Sequence, residues 1–431
     1  MNIVIDMMAY EGVTILTNLK VPPILRVPNH VKAFSCNQCG ACCTNKWNIE
    51  IDDLSFDTMF EPFKKLGRQQ EFYQAMLFRH KGQRIRFLAN GKCPFLSDNS
   101  LCNIQLEFGS EFMADICKIY PRRIFASPRG LEFSLSLTCL TAVGTLAQQQ
   151  IFIEEIDSSP HLQRKDDFYF IPPKTFEEYS PIAVPQDDFR RQYYHLEDIF
   201  ISLLQNREYS LTQRLIVLGQ VVASLTNPFY SDRTEYLNHT IEEALDGNRR
   251  FIMEPNTKKH FEQLCFTINK YLTRNISRNG PPLPPGITPT RISNTSYPFR
   301  KSLEMVRSKI MTLSHEEYKK KLDEYFITEN HAIDVVLENY LVNFVLSKHF
   351  FFELSHLAYY KMAFSYAASI SFALGYCIMN DQPINQDFML QAICDVENIF
   401  YQEWFYRQAM TLQSDYGDAW VMKNSIALVH I

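Results

Sequence analysis

Beyond residue 185, apolar positions recur at three- and four-residue spacing, the signature of amphipathic helices. Phe189, Tyr193, Leu196, Phe200, Leu203 and Leu204 define one such face. Ser210 is placed to cap a second helix, Leu211 to Leu225, ending before Asn227-Pro228. The same pattern predicts helices over 232–246, 256–275, 299–312, 315–327, 330–351, 353–379 and 386–411. The N-terminal third is different. Residues 1–30 read as an extended lead-in ending in the proline-rich VPPILRVPNH. A helix is expected around Phe56–Phe78, a short strand at Arg84–Leu88, and a helix from Ser110 to Ile119 that Pro121 stops. RRIFAS and LEFSLSLT alternate with period two about a Pro-Arg-Gly turn, a β-hairpin that delivers Cys139 at its end. The proline-rich stretch 276–298 reads as an exposed loop, and no repeat of fixed period is present. The expected fold is therefore mainly α: a cysteine-rich module with a short β-hairpin over 1–150, then an all-helical body over 151–431.

At 431 residues the chain is long for one core, in keeping with two domains. Hydrophobic residues make up 46% and charged residues 21%, too apolar a mixture for disorder. The net charge of −5 supplies no field to draw the protein to nucleic acid. Asp6 and Glu11, with no basic start or long apolar run, are unlike a secretory signal. The uncharged stretch Met362–Met379 has the minimum length for a membrane span, but its helical pattern and three serines read as a buried central helix. A cytoplasmic protein without membrane or nucleic-acid partners is expected.

Cysteine is where the chemistry concentrates. Eight of eleven fall between Cys36 and Cys139; Cys265, Cys377 and Cys394 are scattered singly and read as small core hydrophobes. In a reducing compartment such a group points to metal or redox chemistry. Cys36, Cys39, Cys42 and Cys43 form CNQCGACC, whose two-residue gaps let thiolates turn toward one centre. Gly40 supplies backbone freedom, while the adjacent pair Cys42-Cys43 cannot both point inward along a regular strand. Cys93, Cys102, Cys117 and Cys139 complete a candidate metal-ligating set of eight. With His80 the one histidine in this span, soft thiolates favour structural zinc or an iron–sulfur cluster. Eight candidates exceed the four that one site needs, so the ligand set and the number of sites stay open.

These residues resemble a known family. CNQCGACC followed by CPFL, C-x-I and C-x-I-Y-P-R is similar to the YkgJ-type cysteine-cluster family of zinc- or iron-binding proteins. SLSLTC at 134–139, NREYSLTQRLIVLG at 206–219 and LENYLVNFVL at 337–346 resemble the flagellin lysine-N-methylases. The similarity spans roughly 34–350 and, more weakly, the C-terminal helices. It implies methyl transfer to flagellin lysine ε-amines, S-adenosylmethionine as donor, and an iron–sulfur cluster of four-iron type at the cysteines. After Thr138-Cys139, the run Leu140-Thr141-Ala142-Val143-Gly144 lacks the acidic and basic side chains that the resemblance leads one to expect.

None of the 14 glycines forms a GxGxxG cluster, and the CxxxCxxC signature of radical donors fails at Lys46, so neither common donor-binding architecture is present. Tyr120 and Arg122 follow Cys117 closely enough to border a metal site, where arginine can grip a carboxylate. Glu338, Asn339 and Tyr340 interrupt an apolar helix; Asn339 and Tyr340 are candidate pocket residues, the alternative being a solvated face. HEEYKKK at 315–321 reads as a solvated helix face. Two other functions fit the cysteines: a non-enzymatic metal protein that binds a partner, and a thiol redox catalyst.

Overall fold

The computed structural model describes residues 24–44, 49–79, 82–86, 88, 92–127, 129–157, 193–225, 308–310, 312–326, 331–348, 355–400 and 425. The helices expected at 232–246 and 256–275, the loop 276–298, Trp47, His80 and Cys265 lie outside them. The chain divides into two compact units. The first comprises 1–141, 153–178 and 277–301; the second comprises 142–152, 179–276 and 302–431.

The first unit holds two small sheets and short helices. Strand β1 (Ile24–Pro28) leads into helix α1 (Asn29–Ala33), and β2 (Glu50–Ile51) into α2 (Asp53–Lys65) and α3 (Gln69–Ala75). Then come β3 (Met76–Arg79), β4 (Gly82–Ile85), α4 (Asn103–Phe108), α5 (Asp115–Ile119), β5 (Arg122–Ser127) and β6 (Gly130–Leu135). After α6 (Leu140–Gly144) the chain returns as β7 (Ile153–Asp157).

The expected hairpin is β5–β6, paired from Arg122↔Leu135 to Ser127↔Gly130. It is half of a larger object, a four-stranded sheet of order β5-β6-β1-β7. β1, read from sequence as a lead-in, is an interior strand, parallel to β6 and antiparallel to β7. Its inward side chains Leu25 and Val27 are buried, worth about 1.5–3 kcal/mol each. Five residues ending in a proline hid the alternation, and its partners lie more than a hundred residues away. A second sheet has order β2-β4-β3. The single helix expected over 56–78 is broken: Gly67 takes φ +69° between α2 and α3, and Met76 onward pairs as a strand. Asp52 caps α2, its carboxylate accepting from the Ser55 amide at 2.8 Å. The expected helix 110–119 is a three-ten turn, Ser110–Phe112, followed by α5.

The second unit is helical: α7 (Tyr193–Leu204), α8 (Leu211–Leu225), α9 (His315–Tyr325), α10 (His331–Lys348), α11 (Ser355–Asn380) and α12 (Gln386–Phe400). The basic HEEYKKK run does form α9, opened by a capping box between Ser314 and Glu317. α10 packs against α7, α11 and α12 and against the three-ten turn Thr145–Ala147. It is buried without interruption from Val336 to Ser347, the mark of a helix surrounded by others. α11 is long and apolar enough to cross a membrane, yet 83% of its apolar window is buried inside the protein, against α8, α9 and α12.

Candidate metal centre

The CNQCGACC segment curls back on itself because Gln38 and Gly40 both take left-handed backbone angles, φ 58° and 69°. A Cβ on Gly40 would lie 2.9 Å from the Ser100 carbonyl oxygen, so only glycine fits this close approach. Gly40 opens a three-ten turn, Ala41–Cys43, closed by the Cys43 amide on the Gly40 carbonyl at 3.0 Å. The turn resolves the problem of two adjacent cysteines: off a strand, both thiols face the same way, their sulfurs 3.9 Å apart.

Other segments bring further thiols to this turn. The Cys93 amide donates to the Cys43 carbonyl at 2.7 Å, tying CPFL to the turn. Asn103 donates to Phe95 at 2.7 Å and Leu96 bridges Cys102, which sits at the N-terminus of α4. Cys117 comes from α5, whose first amide, Asp115, donates to Ser55 Oγ of α2 at 3.2 Å. Cys42, Cys43, Cys93, Cys102 and Cys117 thus line one cavity of about 60 Å³, with Met59, Phe95, Met113 and Tyr120 among its other walls.

Cys36 and Cys39 are exposed in the loop before the turn, and Cys139 stands half-buried beyond β6, outside the cavity lining. Tyr120 lines the cavity, and its hydroxyl shares a hydrogen bond with Thr138 at 3.0 Å. Arg122 lies near Cys36 instead: it donates to the Phe34 carbonyl at 3.1 Å and stacks on the Phe34 ring at 5.0 Å. Burial holds its pKa below the usual guanidinium range.

The electrostatics of the five thiols suit a cation. Cys42 is pushed up by its hydrogen bond to Cys43 and by burial. Cys43 moves to about 12: Cys42 lowers it, but the Cys93 hydrogen bond, burial and the neighbouring thiols outweigh that. Burial raises Cys102, and burial together with Cys43, Cys102 and Cys42 raises Cys117. The thiolates of Cys42, Cys43, Cys102 and Cys117 are unfavourable in this apolar wall, and a bound cation reverses that balance. An all-sulfur donor set fits zinc or iron in its chemistry. In geometry the set is open: among the described residues, no three His, Cys, Asp or Glu side chains close to ligating distance around one point.

In the helical unit the residues read as a possible solvated face are wholly buried. Glu338 is 1% exposed and accepts from two arginines: Arg207 through both its Nε and Nη2, at 3.0 and 2.8 Å, and Arg214 at 2.8 Å. The two sequence segments 206–219 and 337–346 are therefore joined by one ion triad, in which Glu338 and Arg214 are buried and Arg207 reaches solvent. An acid set among Leu and Val, matched by two arginines seven residues apart, was the available signal. Asn339 spends its amide on backbone: Nδ2 donates to Leu146 and Gln149, and Oδ1 accepts from Ile151 at 3.0 Å. Tyr340 donates to Glu397 at 3.0 Å.

Comparison with known proteins divides the chain along similar lines. Residues 35–139 match a family described as "Putative zinc- or iron-chelating domain", with the pattern CxxCxxCC. Residues 197–400 match the FliB lysine N-methylase C-terminal domain. Among curated proteins, the flagellar biosynthetic protein FliU of Salmonella muenchen is 26% identical over 118 residues, covering 26% of this chain and 70% of that protein. The lysine-N-methylases of Salmonella typhimurium and Salmonella choleraesuis are each 26% identical over 118 residues, a stretch that covers 29% of either enzyme's length. No solved structure matches the chain.

Proposed function

We propose that this chain, which belongs to the FliB lysine N-methylase family, transfers methyl groups from S-adenosylmethionine to lysine ε-amines of flagellin in the cytoplasm, with an iron–sulfur cluster at its cysteines. The observation that carries the reading is the joining of a methylase C-terminal domain to a cavity walled by five thiols.

In the transfer, the neutral lysine nitrogen attacks the sulfonium methyl carbon, the carbon–sulfur bond breaks, and S-adenosylhomocysteine leaves. The proton shed by the ammonium passes to a base or to water. Desolvation of the amine and an in-line approach are what the protein must supply. Tyr120 in the cavity wall and Arg122 beside Cys36 offer a hydroxyl and a guanidinium at the cysteine site, fitting groups for the donor's carboxylate. Cys42, Cys43, Cys93, Cys102 and Cys117 are the candidates to hold the metal, which supplies the positive charge that keeps thiolates in an apolar wall.

The test is reconstitution. Protein purified without air, mixed with flagellin and S-adenosylmethionine, is expected to yield flagellin lysines heavier by whole methyl groups in mass spectra. Iron and sulfide at about four each per chain are expected in the same preparation. Unmodified flagellin with a fully loaded protein overturns the activity; one zinc and no sulfide overturns the cluster.

A further inference from the structure

α2, α3 and β3 bring four aromatic rings together, two of them largely exposed. Phe56, Phe60, Tyr73 and Phe78 form a closed circuit. Ring centroids lie 6.0 Å apart for Phe56–Phe60, 5.2 Å for Phe60–Tyr73, 6.0 Å for Tyr73–Phe78 and 5.9 Å for Phe78–Phe56. Phe72, fully buried, is the floor, touching Phe56, Phe60 and Tyr73. The rim is open to solvent: Tyr73 is 46% and Phe78 52% exposed.

Two observations say what the rim attracts. The other flank of this cluster already holds a cation. Phe63 packs on Phe72, and the Arg68 guanidinium lies 5.3 Å from the Phe63 centroid and 5.9 Å from that of Phe108. Among the described residues, no Lys or Arg stands over the four rim rings. Beside them, Asp53 and Asp57 occupy the exposed side of α2 at one-turn spacing from Phe56 and Phe60. Asp57 has no ion-pair partner among the described residues.

We infer that this quartet is a binding site for a methylated lysine side chain of a protein. Aromatic faces attract cations through their quadrupole, and most effectively those that are weakly hydrated. An unmodified ammonium is compact and strongly hydrated. Methyl groups spread its charge, shed its water and present apolar surface to the rings, while Asp57 supplies the opposite charge. The site deepens the lysine-methylase reading, on which it rests: it holds the product of transfer. α2 itself bridges the two sites: Met59 lines the thiol cavity, while Phe56 and Phe60, half-buried against Phe72, belong to the ring quartet.

The test needs no methyl transfer. A short peptide bearing one trimethyl-lysine is titrated into the full-length protein, alongside the same peptide with unmodified lysine and with the neutral tert-butyl isostere. The trimethylated peptide is expected to bind about tenfold more tightly than the isostere. Tyr73→Ala and Phe78→Ala, both at exposed positions, are each expected to weaken it about three- to tenfold with metal content unchanged. Equal binding of the isostere makes the quartet a plain apolar patch and overturns the inference; so does absence of binding, or binding indifferent to both substitutions. A protein that methylates flagellin but ignores the peptide refutes this site alone. One that binds the peptide but never methylates refutes the activity alone.

Discussion

Asp395 sits on α12 with no solvent exposure, accepting from the Tyr376 hydroxyl and from Gln391 Nε2 at 2.9 Å. Burial raises its pKa from 3.8 to about 6, more than the two hydrogen bonds lower it. The folded state then holds this proton more tightly than the unfolded chain. The contribution is complete below pH 3.8 and is lost as pH rises through 6. Two pK units correspond to about 3 kcal/mol. Asp395→Asn should remove that slope: between pH 4 and 7 its urea midpoint should fall less than the parent's, and equal slopes would refute the assignment. The thiols differ in consequence although all are cysteine. Cys93→Ser or Cys117→Ser should strip metal from the purified protein, whereas Cys377→Ser, buried in α11, should leave metal content intact. The importance of CxxCxxCC was legible from spacing. That Cys42 and Cys43 share one cavity was not, because it depends on a three-ten turn set by Gly40 and on Ser100, far along the chain.

Elements were legible where one helix face repeats and obscure where pairing is long-range. α7, α9 and α12 begin within a few residues of their expected positions because apolar spacing and caps are local signals. α10 shows where such reasoning ends: a helix buried all round has no polar face to orient it, so Glu338 and Asn339 looked like candidates for solvent. Their burial makes a strong claim. Glu338→Ala strands two arginines, one of them 5% exposed, and should cost about 3–5 kcal/mol in denaturant unfolding. Glu338→Gln keeps the shape and a hydrogen-bonding oxygen and should cost less; equal loss would show that charge, not volume, is what matters. In the first unit, Gly40→Ala must push Cβ against the Ser100 carbonyl and should lower metal content while the helical unit keeps its unfolding transition.

The two units are interleaved along the chain, since 142–152 belongs with the helices while β7 immediately after belongs with the sheet. A cut near residue 150, the boundary that the change in sequence pattern suggests, therefore leaves β1 paired with β6 alone in the first piece and strips Asn339 of two backbone partners, Leu146 and Gln149, in the second. A 1–150 fragment should give poorly dispersed amide spectra even with metal supplied; sharp, dispersed spectra would show the sheet closing without β7. The same interleaving has a consequence for the newborn chain. Cys36 through Cys117 leave the ribosome before Ile153–Asp157 exists to flank β1. At typical elongation rates the gap of 129 positions between Arg26 and Glu155 is on the order of ten seconds. Once Cys117 is made and until Ile153–Asp157 follows, all five cavity cysteines are present while the four-stranded sheet still lacks its last strand, a window of about a few seconds in which metal loading competes with oxidation.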